Sequence, residues 1–282
     1  MFSVCTLLYG DNAALAARCL NSIYSTEGLA SVTDIRIGMN RVCAETRDLV
    51  EAFATNWVRA KPESKVIVYD AQQQFKYPMM RRMFHDPHEP LADHTVWLDD
   101  DSYIDDPWKF WSGLCNLGGP HMEAHGYVAG QIWSLYIPEK RQRWFRDQPW
   151  YSSSGRHETI KFAQGAFWMA PTGLIKRLNW PIPELKHCGG DSLLGEIMHH
   201  KQIPLWGFSS GIRINADEHG NHSKSKRRGY TERELGYNYN GKPLPTDHQE
   251  FECEVTRYVY AGDGVRQGEG DGSIPRSPPV HV

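Results

Sequence analysis

Residues 95–102 read "TVWLDDDS", a short apolar run that passes directly into three consecutive carboxylates. Val96, Trp97 and Leu98 are β-prone, and the polar "DSYIDDP" at 101–107 breaks the run, so the pattern predicts a buried strand that ends at the acids. In open α/β sheets, ligands bind in the crevice beyond the carboxyl ends of the strands. Three adjacent negative side chains repel one another unless a cation or a row of donors compensates them. Hard divalent cations take carboxylate oxygens together with phosphates and water. In extended backbone Asp99 and Asp101 point to one side and Asp100 to the other. Asp99 and Asp101 are therefore the pair expected to share a metal–phosphate site. A solvated acidic turn leading into a helix at Asp106-Pro107-Trp108 accounts for the same residues.

Outward from this run, the first half alternates strand and helix. Val4–Leu8 reads as a strand, followed by a helix with Leu15, Cys19, Leu20 and Ile23 on one face and Asp11 or Asn12 as its cap. Ile35–Ile37 is the heart of a second strand, and a helix follows from about Cys43, with Leu49, Val50, Phe53 and Trp57 apolar. Val66–Tyr69 is a third strand and Met79–Phe84 a short helix. This repetition predicts parallel pairing with right-handed crossovers, hence an α/β fold with a doubly wound, mostly parallel sheet. The second half is mixed. Strands are expected at Tyr127–Leu135, Ile160–Ala163, Ile203–Trp206 and Ile212–Ile214, and helices at Pro171–Leu178 and Asp191–His199. From Gly262 onward Gly, Pro, Ser and Asp dominate, which predicts a disordered tail over 262–282.

The chain has 282 residues, enough for one large domain, expected here over 1–261, with halves of about 1–105 and 106–261. A net charge of −3 argues against a generally basic nucleic-acid coat. The six cysteines are scattered with no short Cys-x-x-Cys spacing, as expected of reduced, buried thiols in a cytoplasmic protein. No stretch approaches the roughly 20 apolar residues of a membrane span.

Four segments in order carry a resemblance to the inverting family 2-like glycosyltransferases of GT-A fold. "SVCTLLYGDNAALAARCLNSI" (3–23) resembles the first strand and helix, whose loop cradles the nucleotide. "HTVWLDDDSYID" (94–105) resembles the Asp-x-Asp segment, and "KFAQGAFWMAPTGLIKRL" (161–178) the glycine-containing acceptor-side strand and helix. "HCGGDSLLGEIMHHKQIPL" (187–205) resembles the segment that supplies the catalytic base. The likeness implies transfer of a sugar from a nucleoside-diphosphate sugar to an acceptor hydroxyl, assisted by Mn²⁺ or Mg²⁺. Carried over, Asp101 ligates the metal, Asp99 contacts the metal or the ribose, Asp100 lies with the donor, and Asp191 takes the acceptor proton. The alternative role for Asp191 is a plain N-cap after Gly189-Gly190.

On the same likeness, Tyr9 and Asp11 line the nucleotide loop. Gln164 and Gly165 approach the sugar, although Gly165 could equally be a bulge glycine. Phe167 and Trp168 are core rather than a stacking face. "QQQFKYPMMRRMF" (72–84) lies where relatives place residues near the diphosphate, so Arg81 or Arg82, and Lys76, are candidates there. In "NADEHGNHSKSKRRGY" (215–230), His219 or His222 is a further metal ligand and Arg227 a phosphate contact. Where many relatives read uracil with an acid, this chain has Asn40, whose amide can pair with a base edge. A UDP-sugar is the first expectation for the donor. The acceptor is a glycan or glycoconjugate, or a modified DNA base, since Lys224, Lys226, Arg227 and Arg228 can hold a phosphate backbone. A metal-dependent nucleotidyltransferase and a non-catalytic sugar-nucleotide or nucleic-acid binding module are the competing classes.

Overall fold

The computed structural model describes residues 1–71, 76–117, 126–136, 159–181, 183 and 190–214. Its strands are β1 (Phe2–Tyr9), β2 (Val32–Asn40), β3 (Lys65–Ala71), β4 (His94–Asp99), β5 (Tyr103–Ile104), β6 (Val128–Tyr136), β7 (Thr159–Pro171), β8 (Leu205–Gly207) and β9 (Ile212–Arg213). The helices are α1 (Ala13–Ile23), α2 (Thr26–Ser31), α3 (Ala44–Ala60), α4 (Lys76–Phe84), α5 (Pro107–Leu117), α6 (Thr172–Arg177) and α7 (Gly190–His200).

Seven strands form one sheet in the order β3-β2-β1-β4-β7-β6-β8, and β5 pairs with β9 in a small second sheet. The strands β1 to β4 are mutually parallel, β7 is antiparallel to both β4 and β6, and β8 runs parallel to β6. The fold is thus the expected α/β class with a mixed C-terminal half. Alternate residues of each central strand feed two cores. Val4, Leu8, Ile35, Ile37, Val96, Leu98, Phe167 and Met169 pack with α1, α3 and α5. Cys5, Leu7, Trp97, Trp168 and Ala170 face α4, α6 and α7 on the other side. A sheet covered on both faces is what continuous apolar strands require.

Three local expectations are corrected. The short helix α2 lies in a segment that apolar periodicity does not mark; Ser25 starts it by accepting the Gly28 N–H at 2.9 Å. Strand β7 runs on to Pro171, well past Ala163, because pairing with β4 extends it. Asn12 stands at the cap position of α1, but its amide donates to the Tyr9 carbonyl at 3.2 Å and caps nothing. Cys5 and Cys19 are buried free thiols as expected, whereas Cys115 is exposed. Among the described residues no helix is long and apolar enough to cross a membrane.

A buried ionic knot fixes α4 against the sheet. Arg36, fully buried on β2, donates to Asp34 Oδ1 at 2.7 Å, to the Met83 carbonyl at the end of α4, and to the Glu89 carbonyl at 2.6 Å. Asp34 in turn accepts the Ser3 hydroxyl at 2.6 Å, and that hydroxyl accepts the Ala92 N–H at 2.7 Å. Buried charge is tolerable only when paired and hydrogen-bonded throughout, and here Arg36 is.

Candidate active site

The sheet topology places the crevice. From β1 the chain goes to one side for β2 and β3, then crosses back to β4 on the other side. The topological switch point of this sheet therefore lies beyond the carboxyl ends of β1 and β4, where open α/β sheets bind their ligands. Tyr9 closes β1, its partner Asn40 closes β2, and Asp99 closes β4. Gly10 follows Tyr9 with φ +69°, a left-handed turn that glycine adopts without strain, and Asp11 is exposed beyond it. Tyr9, Asp11, Asn40 and the three acids thus share one edge of the sheet. The parallel crossovers start α1, α3 and α4 at that edge too, so their positive dipole ends and free amides favour an anion there.

The backbone turns immediately after Asp99: Ser102 N–H donates to the Asp99 carbonyl at 2.9 Å. Strand alternation therefore stops at Asp99, and the expectation that Asp99 and Asp101 share a side because the strand continues is corrected. Asp99 follows Trp97 onto the α4 and α7 face. Asp100 (1% exposed) and Asp101 (7%) are buried in the turn. Asp100 lies beside α1. Burial, opposed by the Thr6 hydroxyl and reinforced by the Asp100 and Asp99 charges, pushes the Cys19 thiol on α1 up to about 12.

Asp99 is the hub of the α4 face. Lys76, the first residue of α4, donates to its carboxylate at 2.8 Å and to the Gly165 carbonyl at 3.0 Å. The indole N–H of buried Trp97 donates to Asp99 Oδ1 at 2.8 Å. Gly165 lies in an irregular stretch of β7. The pairs Gly130–Trp168 and Ile132–Ala163 leave Gln164–Phe167 standing opposite the single residue Gln131. Such bulges re-aim a strand beside a site. Gln164 pins this one, its side-chain oxygen accepting the Ala166 N–H at 2.7 Å.

Asp191 joins from the first turn of α7. A Cβ on Gly165 would stand 3.3 Å from Asp191 Oδ2 and 3.4 Å from its Cβ, so this glycine lets the carboxylate lie against the backbone. Gly190, the first residue of α7, packs on the Tyr77 ring of α4, where a Cβ would come within 2.2 Å of Cζ. Lys76 and Tyr77 thereby tie together the end of β4, the β7 bulge and the start of α7. Asp99, Lys76, Gly165 and Asp191 form one contiguous set drawn from both halves of the chain.

Other candidates lie elsewhere. Arg81 donates to the Asn179 side chain at 3.0 Å and to the Pro181 carbonyl at 2.6 Å, so its guanidinium clamps α4 to the segment after α6. Arg82 is exposed, lies over the Tyr69 ring and donates to the Asp70 carbonyl at 3.4 Å. Phe167 and Trp168 are core, as expected. His219, His222 and Arg227 fall outside the described residues. Sequence reasoning missed Glu196 on α7. It is 2% exposed, its Oε1 has no hydrogen-bond partner among the described residues, and burial pushes its carboxyl up to about 7. A lone acid inside the apolar run 193–198 was the available signal.

Among the described residues, no group of three or more His, Cys, Asp or Glu is placed to hold a metal ion. Asp99 and Asp101 nonetheless offer the carboxylate oxygens that a hard cation takes, and few protein ligands suffice where diphosphate oxygens and water complete its shell.

No family model matches the sequence, and no curated protein does. Solved structures similar in fold include the mannosyltransferase PcManGT from Pyrobaculum calidifontis with GDP-Man and Mn²⁺, at 13% identity over 73% of this chain and 54% of that one, TM-score 0.47. TarS of S. aureus matches at 13% identity over 75% of this chain and 36% of its own, TM-score 0.45. Glucosyl-3-phosphoglycerate synthase from Mycobacterium tuberculosis with UDP matches at 13% identity over 95% of this chain and 82% of that one, TM-score 0.48. The chain spans about half the length of the mannosyltransferase (54%) and about a third of TarS (36%).

Proposed function

We propose that the chain transfers a sugar from a nucleoside-diphosphate sugar to an acceptor hydroxyl with inversion, using Asp191 as general base. The observation that carries this reading is the contiguous set at the switch point: Asp99 and Lys76 where a diphosphate would lie, and Asp191 against Gly165 beside them. The order of the four sequence segments supports it. Tyr9, Asp11 and Asn40 frame the nucleoside at the ends of β1 and β2, where the Asn40 amide can pair with a base edge. Asp101 and Asp99 would hold Mn²⁺ or Mg²⁺, which when bound supplies Lewis-acid stabilisation of the departing diphosphate. The helix N-termini at the same edge favour that anion.

In the transfer step, the acceptor oxygen attacks the anomeric carbon, its proton passes to the Asp191 carboxylate, and the bond to the diphosphate oxygen breaks. The acceptor is a glycan or glycoconjugate hydroxyl. The test is a thermal-shift screen of UDP-, GDP-, ADP- and dTDP-sugars with and without Mn²⁺, followed by the Asp191→Asn variant. Donor binding should survive in the variant while transfer falls about 10²–10⁴-fold. Release of pyrophosphate rather than nucleoside diphosphate would overturn the reading in favour of nucleotidyl transfer. A protein that binds donor yet never turns over with any acceptor would overturn it in favour of a binding module.

A further inference from the structure

We infer that Lys76 is the resting counter-ion of Asp99, and that a divalent cation reaches this carboxylate only by displacing the ammonium. The inference rests on reading the crevice as a diphosphate site, and concerns how that site is loaded.

The Lys76 ammonium already has a cation's surroundings: the Asp99 carboxylate at 2.8 Å, the Gly165 carbonyl at 3.0 Å, and the Trp97 ring with its centroid 5.4 Å away. The pair is partly sheltered, with the Lys76 side chain 18% exposed and that of Asp99 22%. A second, doubly charged ion cannot share Asp99 with this ammonium at contact distance without strong repulsion. Lys76 is also the first residue of α4, where the helix dipole disfavours a cation, so the helix itself gives no reason for a lysine there. Asp99 does not depend on Lys76 for its aim, because the Trp97 indole holds Oδ1 at 2.8 Å from a fully buried ring. The carboxylate stays oriented when the ammonium leaves.

The consequence is linkage. In the donor-free protein the cation must evict Lys76 into water. With a diphosphate present the evicted ammonium finds phosphate oxygens, so metal and nucleotide each raise the affinity for the other. Lys76 is thus a positioning residue that makes metal loading depend on the donor.

The test is Mn²⁺ binding by calorimetry and by the EPR signal of free Mn²⁺, on wild type, Lys76→Met, Lys76→Arg and Asp99→Asn, each with and without UDP. Without nucleotide, K76M should bind Mn²⁺ at least about fivefold more tightly than wild type, the low end of site-to-site couplings. The gain in Mn²⁺ affinity on adding UDP should shrink in K76M, K76R should behave as wild type, and D99N should lose binding in both states. Circular dichroism melts confirm folding, and Lys76→Gln serves if K76M does not fold. Mn²⁺ affinity that is unchanged or weaker in the donor-free neutral variants, or absent from wild type and variants alike, overturns the inference. If the neutral variants tighten Mn²⁺ as expected but no sugar donor is turned over, the loading scheme stands and glycosyl transfer falls. The reverse pattern leaves the transferase reading intact and removes this one.

Discussion

Gly190→Ala tests whether α4 and α7 are packed at contact where the structure holds Asp191 in place. The new Cβ would stand 2.2 Å from Tyr77 Cζ, 2.3 Å from its hydroxyl and 2.7 Å from Cε2. Carbon atoms rest about 3.5 Å apart or more, so the two groups must separate by roughly 1.3 Å. Tyr77 cannot supply that movement by rotating away. Its ring is buried and stands edge-on to Trp180, with centroids 5.9 Å apart. The start of α7 must therefore lift, and Asp191, the next residue, leaves the Gly165 backbone. Overpacking of this kind costs about 1–3 kcal/mol, and each kcal/mol lowers Tm by roughly 2–4 °C in a domain of this size. A misplacement near 1 Å at the reacting groups costs about 10²-fold in kcat/KM. Thermal melts and sugar-transfer kinetics would be measured for G190A, for Tyr77→Leu and for the double variant. Trimming Tyr77 opens the space, so the double variant should be more stable than the sum of the two single losses by about 0.5–3 kcal/mol. The reasoning fails if G190A melts and transfers sugar as wild type does, or if the two losses simply add.

Two further outcomes concern charge. Burial lifts the Glu196 carboxyl from an unfolded value of 4.5 to about 7, so between these limits the native state holds the proton more tightly than the unfolded one. Stability should fall as pH rises from about 4.5 to 7 and then level off, with about 3 kcal/mol at stake. Glu196→Gln should flatten Tm against pH and raise Tm at pH 8 more than at pH 5; an unchanged profile refutes it. At the ionic knot, Asp34→Ala leaves the Arg36 guanidinium buried without its carboxylate and should cost about 3–5 kcal/mol in urea melts. A loss under 1 kcal/mol would show that the carbonyls of Met83 and Glu89 suffice alone.

The sheet and its crevice were legible because apolar runs, turn residues and acids fall at the places where a βα repeat needs them. The assembly at the crevice was not. Lys76 and Asp99 are 23 residues apart, and Asp191 meets Gly165 across 26, so no local pattern records either contact. Alternation does not place Asp101, because the chain turns at Asp99, where the strand's twofold period ceases to apply. Sequence position alone gives Lys76 and Arg81 the same role although, five residues apart on a helix, they point about 140° from each other. The helix can aim only one of them at the acids, and the Arg36 knot, at the far end of α4, helps decide which.

The irregular stretch 164–167 divides β7 into two separately registered pieces, the later one paired with both β4 and the start of β6, the earlier one with β6 alone. Deleting one residue between Gln164 and Ala166 would leave the β4 seam untouched yet turn residues 161–163 over, exchanging buried Phe162 for solvent-facing Lys161. Indels at this spot must therefore come in twos. A pair of residues could be grafted there to alter what overhangs the crevice without rethreading the sheet.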